Sequence, residues 1–143
     1  MSSTPTAIAE FEYPRQVHFV DTDASGFAHF SVYVRMMEET EYAFLRSRGL
    51  CVVLYDELGT MGFPRLSASI KVNVPLVLEQ QVSVRLILTR IDGKQIIYEF
   101  EVVDDENQVA VEGRFVVACC RFPDGKLPYA ILTPDRVMEA LTG

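Results

Sequence analysis

The spacing of hydrophobic residues changes at Pro64 and separates a helical part of the chain from a part rich in strands. Before Pro64, hydrophobic residues recur at steps of three and four, which predicts an amphipathic helix over residues 31–48, with Ser31 as N-cap and Gly49 at its exit. The stripe that this helix buries consists of Tyr33, Met36, Met37, Thr40 and Phe44. The pattern also predicts a strand over 15–20 and a short second helix over 50–58.

After Pro64, polar and apolar residues alternate with the period of two that is typical of half-buried strands. Residues 65–74, 82–89 and 96–102 follow this alternation, and Asp92-Gly93 predicts a hairpin between the last two. Residues 108–122 are largely apolar on both faces, as in a central or interface strand. A terminal helix is expected from about Thr133, with Pro134 at its first position.

The order of these elements predicts an α+β domain, in which a five-stranded antiparallel sheet carries one long helix on one face. The other face and the edges of such a sheet stay uncovered, so we expect the protein to form oligomers. The length of 143 residues fits one domain, and we expect a disordered tail over residues 1–10 followed by a single domain over 11–143.

Composition excludes several classes of protein. Thirteen Lys and Arg against 20 Asp and Glu give a net charge of −7, which leaves no broad basic face for nucleic acid. No window approaches the ~20 apolar residues of a membrane span, and the N-terminus lacks the pattern of a signal peptide. Three cysteines (Cys51, Cys119 and Cys120) without a C-x-x-C pair indicate reduced thiols in a cytoplasmic protein.

The candidate chemistry lies in the segment that leads into the long helix, where Asp23 sits on a loop containing Gly26. The first amides of a helix have no partner within it and carry partial positive charge, so they can hold a carbonyl oxygen as it gains negative charge. A carboxylate just upstream can attack that carbonyl carbon or take a proton from water. Asp21, in contrast, is interpreted as a turn-former whose side chain caps loop amides.

The D-T-D-A-S-G sequence at 21–26, followed by Tyr33, Glu38 and Gly49-Leu50, resembles the hotdog-fold acyl-CoA thioesterases, in particular the 4-hydroxybenzoyl-CoA thioesterase-like branch. The resemblance covers about residues 14–122. It implies a hotdog fold, in which the sheet wraps around the helix, and hydrolysis of acyl-CoA thioesters with a small aromatic or a short to medium aliphatic acyl group. It also implies a homodimer or homotetramer with active sites between subunits.

By position, the resemblance implies that Asp23 is the catalytic carboxylate and that the backbone amide of Phe30 contacts the thioester oxygen. The expected substrate-binding residues in this segment are Gly26, Tyr33 and Glu38. Two readings of Glu38 stay open, since it either lines the pocket and holds water or improves the charge order of the helix. His29 is likewise either a group that orients water or the leaving thiol, or a hydrogen-bonded packing residue.

The phosphates of a CoA substrate need cations on an otherwise acidic protein. The candidates are Lys71, Arg90 and Lys94, for which ordinary solvated strand charges are the alternative reading. We expect no metal and no cofactor, because coenzyme A is itself part of the substrate.

Two other functions use the same fold. One is a hydratase or dehydratase acting on acyl thioesters, whose pattern pairs Asp with a His five positions on, whereas Asp23 and His29 are six apart. The other is a non-catalytic acyl-CoA-binding protein. Hydration of crotonyl-CoA without thiol release indicates the first, and tight acyl-CoA binding without thiol release indicates the second.

Overall fold

The computed structural model describes residues 7–143. Its main sheet has five antiparallel strands: β1 (Ala9–Gln16), β4 (Arg65–Val72), β5 (Gln81–Asp92), β6 (Gln95–Val103) and β7 (Val109–Ala118). Their spatial order is β1-β5-β6-β7-β4. A smaller sheet has the order β2-β3-β8-β9 and consists of β2 (Val53–Asp56), β3 (Gly59–Gly62), β8 (Cys120–Arg121) and β9 (Tyr129–Ala130). The helices are α1 (Phe30–Ser47) and α2 (Asp135–Thr142).

Helix α1 packs on the inner face of the main sheet, and the predicted stripe from Tyr33 to Phe44 is buried there. The Phe44 ring meets Tyr98 of β6 edge to face, with centroids 6.2 Å apart. Gly113 of β7 lets the helix approach closely, because a Cβ at that position would overlap the Met37 side chain. The predicted α+β arrangement of one long helix on a five-stranded sheet is therefore confirmed.

The outer face of the sheet carries cross-strand ion pairs between neighbouring strands. Arg85 of β5 stands between Glu12 of β1 and Glu101 of β6, with its Nε 3.1 Å from Glu12. Arg114 of β7 lies opposite Glu99, 3.3 Å away. This alternation of charged outward and apolar inward residues produced the period of two in the sequence.

The short helix predicted over 50–58 is wrong, because the structure has the β2–β3 hairpin there. Gly59 makes the turn with a φ of 116°, and β3 pairs with β8, about 60 residues further along the chain. That distant partner is what selects the strand, and local spacing does not report it. None of the described helices is long and apolar enough to cross a membrane.

The first strand also differs from the prediction over 15–20. It spans Ala9–Gln16, and the chain then forms a short 3₁₀ helix over Phe19–Asp21. Ala9 and Glu10, which were expected in the tail, are thus the first residues of β1, while the rest of the predicted tail, residues 1–6, lies outside the described residues. Helix α2 begins at Asp135, with Pro134 in the N-cap position, close to the expected start.

Candidate active site

The loop that carries Asp23 is a small hairpin whose two ends meet beside the start of α1. The Asp23 amide donates to the Phe27 carbonyl (3.0 Å), Thr22 bridges Ala28, and the His29 amide donates to the Asp21 carbonyl (2.9 Å). The Asp23 backbone is therefore two residues along the hairpin, or about 7 Å, from the Asp21–His29 pair beside which the helix begins. A left-handed Gly26 (φ 85°) allows the tight turn at the hairpin tip.

Helix α1 begins at Phe30, one residue before the predicted start, and its N-cap is His29 instead of Ser31. The His29 side chain makes no capping hydrogen bond, and the first turn contains no acidic residue. The first amides therefore keep their capacity to bind an anionic oxygen, which a Ser or Asp cap would have taken up. Phe30 itself is 61% exposed, so the helix begins at the surface of the single chain.

The Asp23 carboxylate is exposed and oriented by its own loop. One oxygen, Oδ1, accepts hydrogen bonds from the amide (2.8 Å) and from the hydroxyl of Ser25. These hydrogen bonds, with a smaller electrostatic contribution from His29, hold the pKa of Asp23 below its usual value. The carboxylate is thus ionised at neutral pH, and its Oδ2 forms no hydrogen bond with residues 7–143.

An ion-pair network that the sequence did not predict attaches this loop to β1 and α1. The buried Asp21 carboxylate (2% exposed) accepts from Arg15 Nη1 at 2.7 Å and from the His18 amide at 2.9 Å. Arg15 Nε also donates to Glu39 of α1 at 2.8 Å. One guanidinium thereby ties the end of β1, the loop and the helix together, and Asp21 caps an amide as expected.

Tyr33 packs beneath the surface of the helix start and helps to fix its position. Its side chain is buried, and its hydroxyl accepts a hydrogen bond from the Leu76 amide at 3.1 Å. Leu76 in turn accepts from the Ala28 amide at 2.8 Å, and the Phe30 ring meets Tyr33 edge to face. In the single chain Tyr33 thus joins α1, the hairpin and the segment after β4.

Glu38 lies about two turns from the start of α1 and is paired with Arg65, the first residue of β4, at 3.2 Å. The same guanidinium binds Glu41 Oε1 at 2.8 Å and stacks on the Phe115 ring at 4.6 Å. Glu38 also accepts from the Tyr42 hydroxyl at 3.3 Å. Glu38 and Glu41 lie about 12 Å and 16 Å along α1 from its first residue, well away from Asp23 of the same chain.

Glu41 is the most perturbed carboxyl of this group. Its side chain is 2% exposed, and burial raises its pKa from 4.5 to about 7 although Arg65 opposes the rise. The sequence carried a signal for this residue, because Glu41 falls in line with Tyr33 and Met37 at the four-residue step of the buried stripe. Arg65, at the start of an alternating strand, carried no comparable signal.

The predicted phosphate-binding cations occupy two different places. Lys71 is in β4 near the Asp23 end of the sheet and lies 4.0 Å from Glu112. Arg90 and Lys94 flank the β5–β6 turn at the opposite end, about 30 Å along the strand from Gln81. Arg90 is paired there with Asp92 at 2.9 Å.

The site residues therefore fall into two clusters within one chain. Asp23, Gly26, His29 and Phe30 lie together at the helix start, whereas Glu38 lies with Arg65 towards the other end of α1.

All described cysteines are free thiols, with Cys119 and Cys120 buried and Cys51 exposed. Among residues 7–143, no three His, Cys, Asp or Glu side chains are grouped so that they could hold a metal ion.

The sequence of this chain is similar to those of known proteins. A family model described as the Thioesterase-like superfamily matches residues 17–141. A putative esterase of Aquifex aeolicus is 30% identical over 133 residues, which cover 92% of this chain and 97% of that protein. A 1,4-dihydroxy-2-naphthoyl-CoA hydrolase of Synechocystis is 26% identical over 117 residues, covering 81% and 85% of the two chains.

The fold has close counterparts among solved structures. The crystal structure of a 1,4-dihydroxy-2-naphthoyl-CoA thioesterase from Synechocystis superposes with a TM-score of 0.80 at 23% identity, covering 93% of this chain and 96% of that one. This likeness confirms the hotdog fold that the sequence resemblance implied.

Proposed function

The chain belongs to the Thioesterase-like superfamily and is a thioester hydrolase, and from this premise we propose that it cleaves acyl-CoA with Asp23 as the catalytic carboxylate and the Phe30 amide as oxyanion donor. The observation that carries the proposal is the hairpin that holds Asp23, whose carboxylate is ionised, two backbone positions (about 7 Å along the chain) from an uncapped helix start. A thioester carbon placed between the two is open to attack while its oxygen is held by the amide.

Two routes through Asp23 lead to the same products. In one, Oδ2 attacks the carbonyl carbon, the C–S bond breaks, CoA leaves as the thiolate, and water then hydrolyses the mixed anhydride. In the other, the carboxylate takes a proton from water as the water attacks, and the departing thiolate receives a proton. Each route consumes one water and releases one acid and one thiol. We propose that the residues of the chain suffice for either route, with coenzyme A entering only as part of the substrate.

We further propose that the working unit is a homodimer built on the edge of β4. Within the described chain, β4 pairs only with β7, and its other edge is open to a second copy. Apolar side chains around the Asp23 loop are also exposed, as expected of a surface that a partner covers. These side chains are Phe19, Val20, Phe27, Phe30 and Val77.

Antiparallel pairing of β4 with its twofold mate exchanges the two ends of the sheet. The Val72 end of β4 leads to Leu76 and the Asp23 loop, while the Arg65 end lies near Arg90 and Lys94. In the dimer, the cations of one subunit therefore approach the catalytic end of the other, where they can meet the phosphates of its CoA. Sedimentation analysis distinguishes this dimer from a monomer and from a homotetramer.

We further propose that the enzyme is cytoplasmic, which its free thiols support.

The test of the catalytic assignment is Asp23→Asn, which keeps the size of the side chain but can neither attack nor take a proton. We expect thiol release from acyl-CoA to fall by roughly 10²- to 10⁴-fold, with an unchanged melting temperature because Asp23 is exposed. Asp105→Asn, in the exposed β6–β7 turn, is the matched control and should keep full turnover. Near-native turnover of Asp23→Asn would rule out this role for Asp23.

A further inference from the structure

The Asp23 hairpin (residues 22–28) is joined along its returning strand to a clamp segment (residues 76–78), which lies between β4 and β5. The clamp segment makes three backbone contacts with the hairpin: Ala28 donates to the Leu76 carbonyl (2.8 Å), Phe27 bridges Val77, and Leu78 donates to the Gly26 carbonyl (3.3 Å). Backbone pairing of this kind fixes one stretch of chain against another in a defined register. The clamp segment thereby holds the hairpin from its tip to its junction with α1.

Tyr33 of α1 holds the clamp segment in turn. Its side chain is 2% exposed, and its hydroxyl accepts a hydrogen bond from the Leu76 amide at 3.1 Å. Within residues 7–143, this is the one hydrogen bond between α1 and the clamp segment. Leu76 is completely buried, so bulk water does not replace the hydroxyl as the partner of its amide.

The contacts form a closed path around the place where the thioester carbon is proposed to bind. Helix α1 carries the Phe30 amide at its start and the Tyr33 hydroxyl one turn further on. From Tyr33 the path runs through the clamp segment to the hairpin, and the hairpin continues along the chain into α1. Because the carboxylate and the amide must reach the same carbonyl group, any shift of the hairpin against α1 changes how they meet it.

Resting on the proposed function, we infer that Tyr33 is a positioning residue, whose hydroxyl sets the distance between the Asp23 carboxylate and the Phe30 amide through the clamp segment. Phenylalanine fills the same space without the hydroxyl, so it leaves the buried Leu76 amide without a partner. The clamp segment then relaxes towards another acceptor and moves the hairpin with it. A misplacement of about 1 Å is enough to lower turnover roughly 100-fold.

The experiment compares the kinetics of Tyr33→Phe with those of Thr40→Val. Thr40 is the matched control, because its buried hydroxyl also belongs to α1 but donates to the Met36 carbonyl at 2.8 Å, within the helix. We expect kcat of Tyr33→Phe to fall roughly 10- to 100-fold while KM stays within about twofold. Thr40→Val should keep kcat.

Two kinetic outcomes would overturn the inference. A role of Tyr33 in substrate binding, which the resemblance implies, predicts instead that KM rises while kcat is kept. An equal fall of kcat in Tyr33→Phe and Thr40→Val would mean that any lost hydroxyl in α1 has this effect, through general loosening of the core.

The pH profile separates the position of the carboxylate from its ionisation. Asp23 Oδ1 is held by Ser25, which belongs to the same hairpin and moves with it. Tyr33→Phe should therefore lower the plateau of kcat without moving its acidic limb. A shifted acidic limb would show that Tyr33 acts on the ionisation of Asp23 and not on its position.

Amide hydrogen exchange tests the clamp segment without reference to turnover. In Tyr33→Phe the amides of Ala28 and Leu78 should exchange roughly 10-fold faster or more, because the backbone pairing between hairpin and clamp segment opens more often. In Thr40→Val their exchange should match the wild type. Unchanged exchange in Tyr33→Phe overturns the inference, and so does faster exchange with unchanged kcat.

The double variant Asp23→Asn/Tyr33→Phe separates this inference from the catalytic assignment. If Tyr33 acts by positioning Asp23, the second substitution should lower the residual turnover of Asp23→Asn little further, whereas a full additional loss would show an independent effect. Near-native turnover of Asp23→Asn together with a loss of kcat in Tyr33→Phe would overturn the catalytic assignment and keep Tyr33 as a positioning residue of the hairpin.

A second variant loosens the clamp segment from outside the core. Gln80 Oε1 accepts a hydrogen bond from the Val77 amide at 3.1 Å, and Gln80→Met removes this acceptor without touching α1. We expect kcat to fall roughly 3- to 10-fold at unchanged KM. If Tyr33→Phe does not fold cooperatively, this variant decides, and full kcat in Gln80→Met overturns the inference.

Discussion

Asp23 precedes α1 and Glu41 lies within it, yet the fold gives these two carboxylates opposite surroundings. Asp23 is exposed on a hairpin, and hydrogen bonds from Ser25 lower its pKa. Glu41 is 2% exposed under the β2–β3 hairpin, and burial raises its pKa to about 7 despite the contact with Arg65. An ionised, solvent-accessible group suits attack or proton transfer, whereas a buried and paired group suits recognition of a polar atom.

The two ends of the helix also differ in how they are held. At the Asp23 end, Arg15 and buried Asp21 fix the loop, and the functional carboxylate stays outside this network. At the other end, Glu41 is itself part of the ion pair with Arg65. Mutations at the first end should therefore separate positioning of the loop from its chemistry, whereas a mutation of Glu41 changes the stability of the ion pair directly.

The largest effect on stability is expected from Arg15→Met, which leaves Asp21 buried without its cation. Removing one partner of a buried pair costs about 3–5 kcal/mol in the free energy of unfolding. Turnover should fall as well, because the loop loses its link to Glu39. Urea denaturation measures the first effect and thiol release the second. A loss below about 1 kcal/mol would show that this network does not fix the loop.

The next effect is a pH dependence of stability caused by Glu41. The folded pKa of Glu41, about 7, lies above the ordinary 4.5, so its contribution to stability is fully present below pH 4.5 and is lost as pH rises through about 7. The loss is on the order of 3 kcal/mol and comes mainly from burial of the carboxyl, with Glu38 adding to it and Arg65 opposing it; Tyr98 also faces Glu41.

Glu41→Gln removes this titration. Relative to the variant, the wild type should become progressively less stable between pH 4.5 and 7.5, as measured by unfolding free energies at several pH values. Parallel curves for the two proteins over this range would contradict a raised pKa for Glu41.

A smaller effect is expected at Ser25, whose hydroxyl and amide lower the pKa of Asp23. Ser25→Ala removes the hydroxyl, so the pKa of Asp23 should rise towards its ordinary value. The acidic limb of the pH profile of kcat/KM then moves to higher pH, while activity above pH 7 is nearly unchanged. An unshifted acidic limb would mean that Asp23 ionisation does not control the reaction.

The smallest effect is expected on the outer face of the sheet. Arg85→Met breaks the exposed contacts with Glu12 and Glu101 and should change the unfolding free energy by at most about 1 kcal/mol. It serves as the matched control for Arg15→Met, since both remove an arginine that contacts two carboxylates. Equal losses in the two variants would show that burial does not distinguish these networks.

Much of the fold was readable from the sequence, because long elements with one buried face impose a period on the chain. The stripe from Tyr33 to Phe44 and the strands after Pro64 were confirmed. The alternation fails at the start of β4, where an irregularity between Arg65 and Ser67 leaves Leu66 exposed. The β2–β3 hairpin was not readable, since β3 depends on pairing with β8 far along the chain. Its prediction as a helix was wrong for that reason.

The sequence by itself determined that a carboxylate precedes the long helix, because loop composition and helix period are local properties. Tertiary structure decided the rest of the candidate site. It buried Glu41 against Arg65 and joined Arg15 to Asp21 and Glu39. It also placed Arg90 and Lys94 at the sheet end opposite Asp23. These relations depend on strand order and packing across the sheet, and residues distant in sequence carry no local period that reports them.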